Sequence, residues 1–299
     1  MGETPSWEDF IGAWELFRNP TLAGTLAGGL LGYLGVFVVL RRMVFLSAAL
    51  SQCAGLGVTL AFYAQLHMGV AASVASPLLG AAALTMLGVL LPLSDRSELG
   101  SRRDGLLGLL FLGGSAGTVI VGTKIVQELQ DVETLLFGSA VVVLDEQMIW
   151  IASISLLLWT LHLWWMRGFI QVSLDRQGAR VRGLPVRALD IALLLSLALA
   201  ISVFTRVLGA LPVFAFSVLP AMAAVRLAPS VPLSLIMATV MGALSGFLGY
   251  LVAFFYELPV GPSQAGVAAS FVLAAELTRV VFLRARLLLE ESRGDETLA

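Results

Sequence analysis

The sequence predicts an all-α polytopic membrane protein, a bundle of about eight to nine transmembrane helices. Three observations lead there. The 299 residues are 58% hydrophobic and only 13% charged, with a mean hydropathy of +0.93, whereas soluble proteins carry about 25% charged residues. The charges fall in short clusters between long apolar runs, and a bilayer demands runs of about 20 apolar residues. Those runs do not alternate: Ile191 to Phe204 reads IALLLSLALAISVF. A barrel strand would alternate apolar and polar at every second position. With no water to satisfy backbone groups, a non-alternating run crosses as a helix.

The elements follow in order. A first span from Thr21 to Leu40 ends at Arg41-Arg42. Met43 to Gln65 and Gly69 to Leu93 are the second and third, closed by the charged loop SDRSELGSRRD (Ser94 to Asp104). The fourth runs from Gly105 to about Gly122. A polar stretch with Lys124, Glu128, Asp131 and Glu133 then leads into LLFGSAVVVLDE (Leu135 to Glu146). That apolar piece is too short to cross alone and suits a re-entrant segment. Met148 to Phe169 is the fifth span, followed by the longest charged loop, Ser173 to Arg187. Leu189 to Leu208, Leu211 to Val225 with its two prolines, Leu233 to Tyr256 and Gly266 to Leu283 complete about nine crossings. The chain thus divides into a non-membrane segment (1–20), a transmembrane domain (21–285) and a tail (286–299).

Orientation follows from the positive-inside rule. Placing Arg41-Arg42, the loops after the third and fifth spans, Arg226 and the C-terminal arginines on one side leaves only Arg18, Lys124 and Arg206, of 18 Lys and Arg, on the other. The layout is N-terminus outside and C-terminus cytoplasmic. No cleavable signal peptide is evident in the mixed, acidic first residues. Gly24, Gly28 and Gly32, and Gly242, Gly246 and Gly249, are small residues at about one-turn spacing. They predict close helix–helix packing.

Catalysis is not indicated. The only histidines are His67, in a short turn, and His162, inside the fifth span; neither has an acid or thiol at ligand spacing. A single cysteine, Cys53, excludes an internal disulfide and a multi-cysteine metal cluster. There is no HExxH, GxSxG or P-loop. No basic run points to nucleic acid. The chain is expected to bind no cofactor; any ATP and magnesium belong to a partner.

Charges within spans are costly and informative. Glu276 and Arg279 lie at i, i+3 in the last span and can neutralise each other or line a polar path. Asp190 begins the sixth span among arginines, where an interfacial salt bridge satisfies it. Arg206 can snorkel. The acids Glu128, Asp131, Glu133, Asp145, Glu146 and Glu257 cluster on the outer side, as solvated loop charge or as a field that gathers cations.

Five segments, taken in order, resemble the permease of the zinc/manganese-type ABC importers, the ABC-3 family. They are GVFVVLRRMVFLSAALSQCAGLGV (Gly35 to Val58), LLFGSAVVVLDEQMIWIA (Leu135 to Ala152), DRQGARVRGLPVRALD (Asp175 to Asp190), LGALPVFAFSVLPAMAA (Leu208 to Ala224) and FYELPVGPSQ (Phe255 to Gln264). With the spans between them they cover about residues 24–281. The resemblance implies an ABC importer permease fold working by alternating access. It implies two ATPase subunits, an extracytoplasmic substrate-binding protein, and a second copy or a related permease as partners. It also implies ATPase contact at Asp175, Arg176, Ala179, Arg180 and Gly183.

One departure bears on cargo. Where the family usually has Asp and His, a pair at i, i+4 suited to a transition metal, this chain has Ala48 and Gln52. Gln52 offers a neutral oxygen, and Cys53 points about 100° away around the helix. Ala48, Gln52, Cys53 and Glu276 are the translocation-path candidates, and Gln52 and Cys53 the weak metal candidates. The cargo is then a transition metal or a metal chelate. A chelated or small organic ligand, a second permease that retains the ligands, or passage without tight coordination would each explain the departure. A secondary transporter or a membrane scaffold is the alternative reading; the former would need midplane acids or an internal repeat.

Overall fold

The computed structural model describes residues 7–12, 14–71, 74–94, 100–125 and 143–296. Among them are twelve helices and no strand. In chain order they are α1 (Trp7–Gly12), α2 (Trp14–Leu40), α3 (Val44–Met68), α4 (Pro77–Ser94), α5 (Gly100–Ile125), α6 (Asp145–Trp164), α7 (Met166–Leu174), α8 (Arg176–Val181), α9 (Val186–Leu208), α10 (Ala210–Leu227), α11 (Val231–Tyr256) and α12 (Val260–Glu296). Eight are long and apolar enough to cross a bilayer; α4 has only the shorter apolar stretch Pro77–Leu91. Eight spans plus one short helix match the expected eight to nine.

The bundle is layered. α2, α3, α9 and α10 form the interior: 78% of the most apolar stretch of α2 is buried, against 11% for α12. α5, α6 and α12 form the rim and turn Leu109, Leu112, Leu156, Leu157, Leu273 and Leu277 outward, the faces a bilayer covers. Several interior hydroxyls bond within their own helices: Ser51 donates to the Ser47 carbonyl at 2.9 Å and Thr59 to that of Gly55 at 2.9 Å; the buried Tyr33 and Thr205 hydroxyls do not.

The predicted glycine packing is present, and its two halves face each other. Gly24 lies against Gly246, Gly28 against Gly242 and Gly32 against Ala238, so α2 and α11 meet backbone to backbone. A Cβ on Gly28 or Gly242 would collide with the opposite main-chain carbonyl. At the end of this seam Gln264 of α12 is fully buried and donates to the Gly246 carbonyl at 3.2 Å. Below it, α1 docks through aromatic rings: Phe10 stacks on Phe17 at 5.6 Å and meets Phe254 edge-on at 5.2 Å.

Three spans differ from expectation. The third does not begin at Gly69. That residue ends α3 in the left-handed conformation (φ 64°), and the next helix starts at Pro77. α3 consequently runs through His67, which stacks on Tyr63 at 4.6 Å instead of lying in a turn. The fifth span breaks at Trp165 (φ −105°, ψ 16°). α7 is a separate amphipathic helix that buries Gly168, Phe169 and Val172. The helix of the first span, α2, starts at Trp14, not Thr21. Of the suspected re-entrant piece, residues 135–142 lie outside the described residues, as do Glu128, Asp131 and Glu133. Its end is α6, where Asp145 accepts from the Asn19 amide at 2.7 Å.

The close approach of α2 and α11 yields a paired prediction. Gly28→Ala forces backbones apart and lowers stability by about 1–3 kcal/mol, as overpacking does. Gly29→Ala is the control, because its Cβ would meet the Ala243 Cβ at an ordinary 3.6 Å; its effect stays within about 0.5 kcal/mol. Thermal unfolding of the two variants in detergent checks both.

Candidate functional site

Two regions matter: the first three turns of α3, and the arginine-rich end where α2, α7, α8 and α9 meet.

On α3, Ala48 and Cys53 are buried and Gln52 is half-buried. The seam with α5 is tight because Gly114 lies directly on Gln52: a Cβ there would come within 2.9 Å of the Gln52 Cβ. The Gln52 Oε1 is buried and no side chain or backbone donor reaches it. Cys53 turns its Sγ toward the Leu110 carbonyl, 3.9 Å away, and toward Gly88 of α4. Gln52 and Cys53 thus lie in helix–helix seams of α3 in this conformation, and Ala48 is buried one turn before Gln52. Among the described residues no three His, Cys, Asp or Glu side chains come together as a metal site.

Glu276 does not pair with Arg279. Its partner is Arg226, in the last turn of α10. The i, i+3 geometry allowed the local pair, but α10 packs along α12 and brings a closer cation, while Arg279 faces outward. Arg226 near the C-terminal end of its helix also faces the favourable end of the helix dipole. Glu276 therefore sits level with the end of α10.

At the arginine-rich end, α8 is short but sharply bounded. Asp175 caps its start, accepting from the Gly178 amide at 2.9 Å. Gly183 follows its end at φ 77°, and the Leu184 amide reaches back to the Ala179 carbonyl at 3.1 Å. This is the left-handed helix stop that favours glycine. Ala179 is buried and anchors α8; Arg176, Arg180, Val181 and Arg182 are exposed. Beside it is a groove of about 540 Å³ lined by Arg180, Pro185, Val186, Arg187, Ala188 and Ile191. The structure therefore brings Asp175, Arg176, Ala179, Arg180 and Gly183 into one element with a single exposed basic face.

Asp190, expected in an interfacial salt bridge, holds two arginines at once. Oδ1 accepts from Arg41 Nη1 at 2.6 Å, and Oδ2 from Arg176 Nη2 at 2.5 Å. Arg41 Nε also donates to Ser173 Oγ at 2.8 Å, and that hydroxyl donates to the Phe169 carbonyl at 2.6 Å. Burial pulls the Arg41 guanidinium below its ordinary value, and the Asp190 charge opposes that pull. Arg41 was not singled out in the sequence as a partner. The available signal was that both residues fall on the same side under the positive-inside rule.

His162 is fully buried, stacked on Phe169 at 4.3 Å and edge-on to Tyr33 at 5.8 Å. It packs α6 against α2 and α7.

Among the described residues eight helices are long and apolar enough to cross a bilayer, and a short capped basic helix lies between α7 and α9; sequence comparison decides the family. The profile of the ABC 3 transport family matches residues 13–279. The chain belongs to that family. Among its curated relatives is the high-affinity zinc uptake system membrane protein ZnuB of Haemophilus influenzae, 27% identical over 267 residues, covering 88% of this chain and 97% of that protein. Another is the chelated iron transport system membrane protein YfeD of Yersinia pestis, 27% identical over 266 residues, covering 88% and 85%. Among solved structures, PsaBC from Streptococcus pneumoniae in complex with Fab superposes with a TM-score of 0.77 at 23% identity. It covers 90% of this chain and 95% of that chain. The family assignment and the shared fold make the chain a multi-pass ABC transporter permease.

The cap of α8 is testable. Asp175→Ala removes one of its few helical bonds and destabilises the helix by about 1 kcal/mol, so the Gly178 and Ala179 amides exchange about fivefold faster. Asp175→Asn, an equally good cap, leaves exchange unchanged. Hydrogen exchange in nanodiscs reads both.

Proposed function

We propose that this chain is the membrane subunit of an ABC importer for a transition metal, of the zinc/manganese type, or for a metal chelate. ATP and magnesium are bound by separate ATPase subunits, and an extracytoplasmic binding protein delivers the cargo. A second copy or a related permease completes the pore, and the helices reorient by alternating access. The observation that carries this is the family match over residues 13–279 together with an exposed, arginine-bearing helix α8 between the amphipathic α7 and the membrane-type α9. Relatives named for zinc and chelated-iron transport support the metal class. The arginine count supports a cytoplasmic α8 and C-terminus in a bacterial inner membrane. The exposed basic face of α8 and its neighbouring groove suit an ATPase surface.

The proposed cargo path runs along α3 past Ala48 and Gln52, with Cys53 about 100° around the helix and Glu276, beside the end of α10, as a further candidate. Ala48 is a methyl group and Gln52 a neutral amide, so the face holds a bare cation weakly. This favours a chelated or loosely held metal.

Uptake of a panel of metals and metal chelates, in cells with and without this gene, tests the function. Loss of accumulation of at least one metal is expected; no change in any metal counts against the metal class. Failure of any ATPase to co-purify counts against the importer. For the path, Gln52→His with Ala48→Asp supplies two ionisable donors one turn apart, and uptake is expected to sharpen toward free divalent metal. Unchanged selectivity removes α3 from the path.

A further inference from the structure

The mechanical problem in such a protein is how a short surface helix moves a membrane helix. The structure offers one carboxylate at which the relevant segments meet. Asp190 lies in the second turn of α9, Arg41 lies between α2 and α3, and Arg176 lies on α8. Ser173 of α7 joins through Arg41. We propose that Asp190 is a positioning residue that joins α8 to the α2–α3 turn, so that α3 follows α8. The functional reach of this joint rests on the reading of α8 as the ATPase-facing helix.

Three features make the joint directional. The two arms differ in exposure: the Arg41 side chain is 10% exposed and that of Arg176 61%. The buried arm is shielded from salt and water, whereas the exposed arm is screened and can exchange partners. Asp190 therefore stays with Arg41 and can release Arg176. Arg41 also has a buried Nη2 with no acceptor in the structure, so loss of Asp190 would leave a poorly solvated cation facing a second cation.

The turn that carries Arg41 has little slack. The Arg42 amide bonds to the Val39 carbonyl at 3.1 Å and the Met43 amide to that of Val38 at 2.8 Å. Arg42 holds the left-handed conformation at φ 56° to close this helix stop. α3 then restarts at once, with the Leu46 amide on the Met43 carbonyl at 3.0 Å. A displacement of Arg41 is thus passed to α3 over three residues, and Ala48, Gln52 and Cys53 lie within the next three turns.

The experiment uses the full chain in nanodiscs, with spin labels at Val181→Cys on α8 and Phe45→Cys on α3 in a Cys53→Ser background. Both label sites are exposed. With Asp190 intact, one narrow distance distribution is expected. Asp190→Asn should at least double its width, and Asp190→Glu should restore it. Gly28→Ala controls for a general loss of stability: it lowers the unfolding temperature from a remote seam and should leave the width unchanged. An unchanged width in Asp190→Asn overturns the joint, as does equal broadening in Gly28→Ala. With ATPase subunits and binding protein reconstituted, Asp190→Asn should keep the same ATPase stoichiometry and lose at least fivefold in uptake per ATP hydrolysed. Uptake per ATP within twofold of the parent overturns coupling through Asp190. If the parent chain binds no ATPase, the importer reading fails, and the distances still decide the joint.

Discussion

The backbone-to-backbone approach of α2 and α11 is the constraint on which the rest depends. In a bilayer there is no hydrophobic drive to bring helices together, so packing comes from close van der Waals contact at small residues. Gly24, Gly28 and Gly32 on one helix, against Gly246, Gly242 and Ala238 on the other, supply it. That seam buries α2 at the centre of the bundle. About 20 Å further along α2, Arg41 ties the ends of α7 and α9 together through its own bonds to Ser173 and Asp190. The same logic recurs on a smaller scale where Gly57 of α3 lies against Gly80 of α4. α3 is thereby held on one side by a helix whose apolar stretch is shorter than a full crossing.

How much of this could be read beforehand depended on the range of the interaction. Apolar runs and glycine spacing are local, so helix number and the two glycine stripes were legible, although not that the stripes face each other. Asp190 was legible as an interfacial ion because arginines surround it in sequence. Its principal partner, Arg41, is 149 residues away, beyond any pattern of spacing. Glu276 shows the reverse: Arg279 was the nearest cation by helical period, and tertiary packing supplied Arg226 instead. The break at Trp165 escaped because hydropathy measures apolar content, not direction. Met148 to Phe169 has no proline to mark a break, and the helix turns only because α7 has one apolar face to bury.

The candidate path was legible as positions but not as an environment. Ala48, Gln52 and Cys53 lie within two turns of α3, yet Gln52 and Cys53 meet different neighbours. Gln52 is pressed by Gly114, and Cys53 lies between Gly88 and the Leu110 carbonyl. A polar Oε1 without a donor inside a helix seam is costly when left unsolvated. The α3–α5 seam therefore gains when it opens enough to hydrate that amide, whereas the glycine seam of α2 and α11 gains nothing from opening.

The two kinds of contact divide the molecule mechanically. Along α2 and α11, carbonyls face Cα atoms so closely that sliding by even part of a turn would drive backbone into backbone. At the arginine-rich end the contacts are ion pairs, and one of them is exposed and replaceable by water or by a partner's acid. A rearrangement thus meets least resistance at α8 and passes inward through Arg41 to α3, while the glycine seam stays still. The family's transport chemistry needs such an asymmetry: a rigid half to move against, and a polar joint at which movement begins.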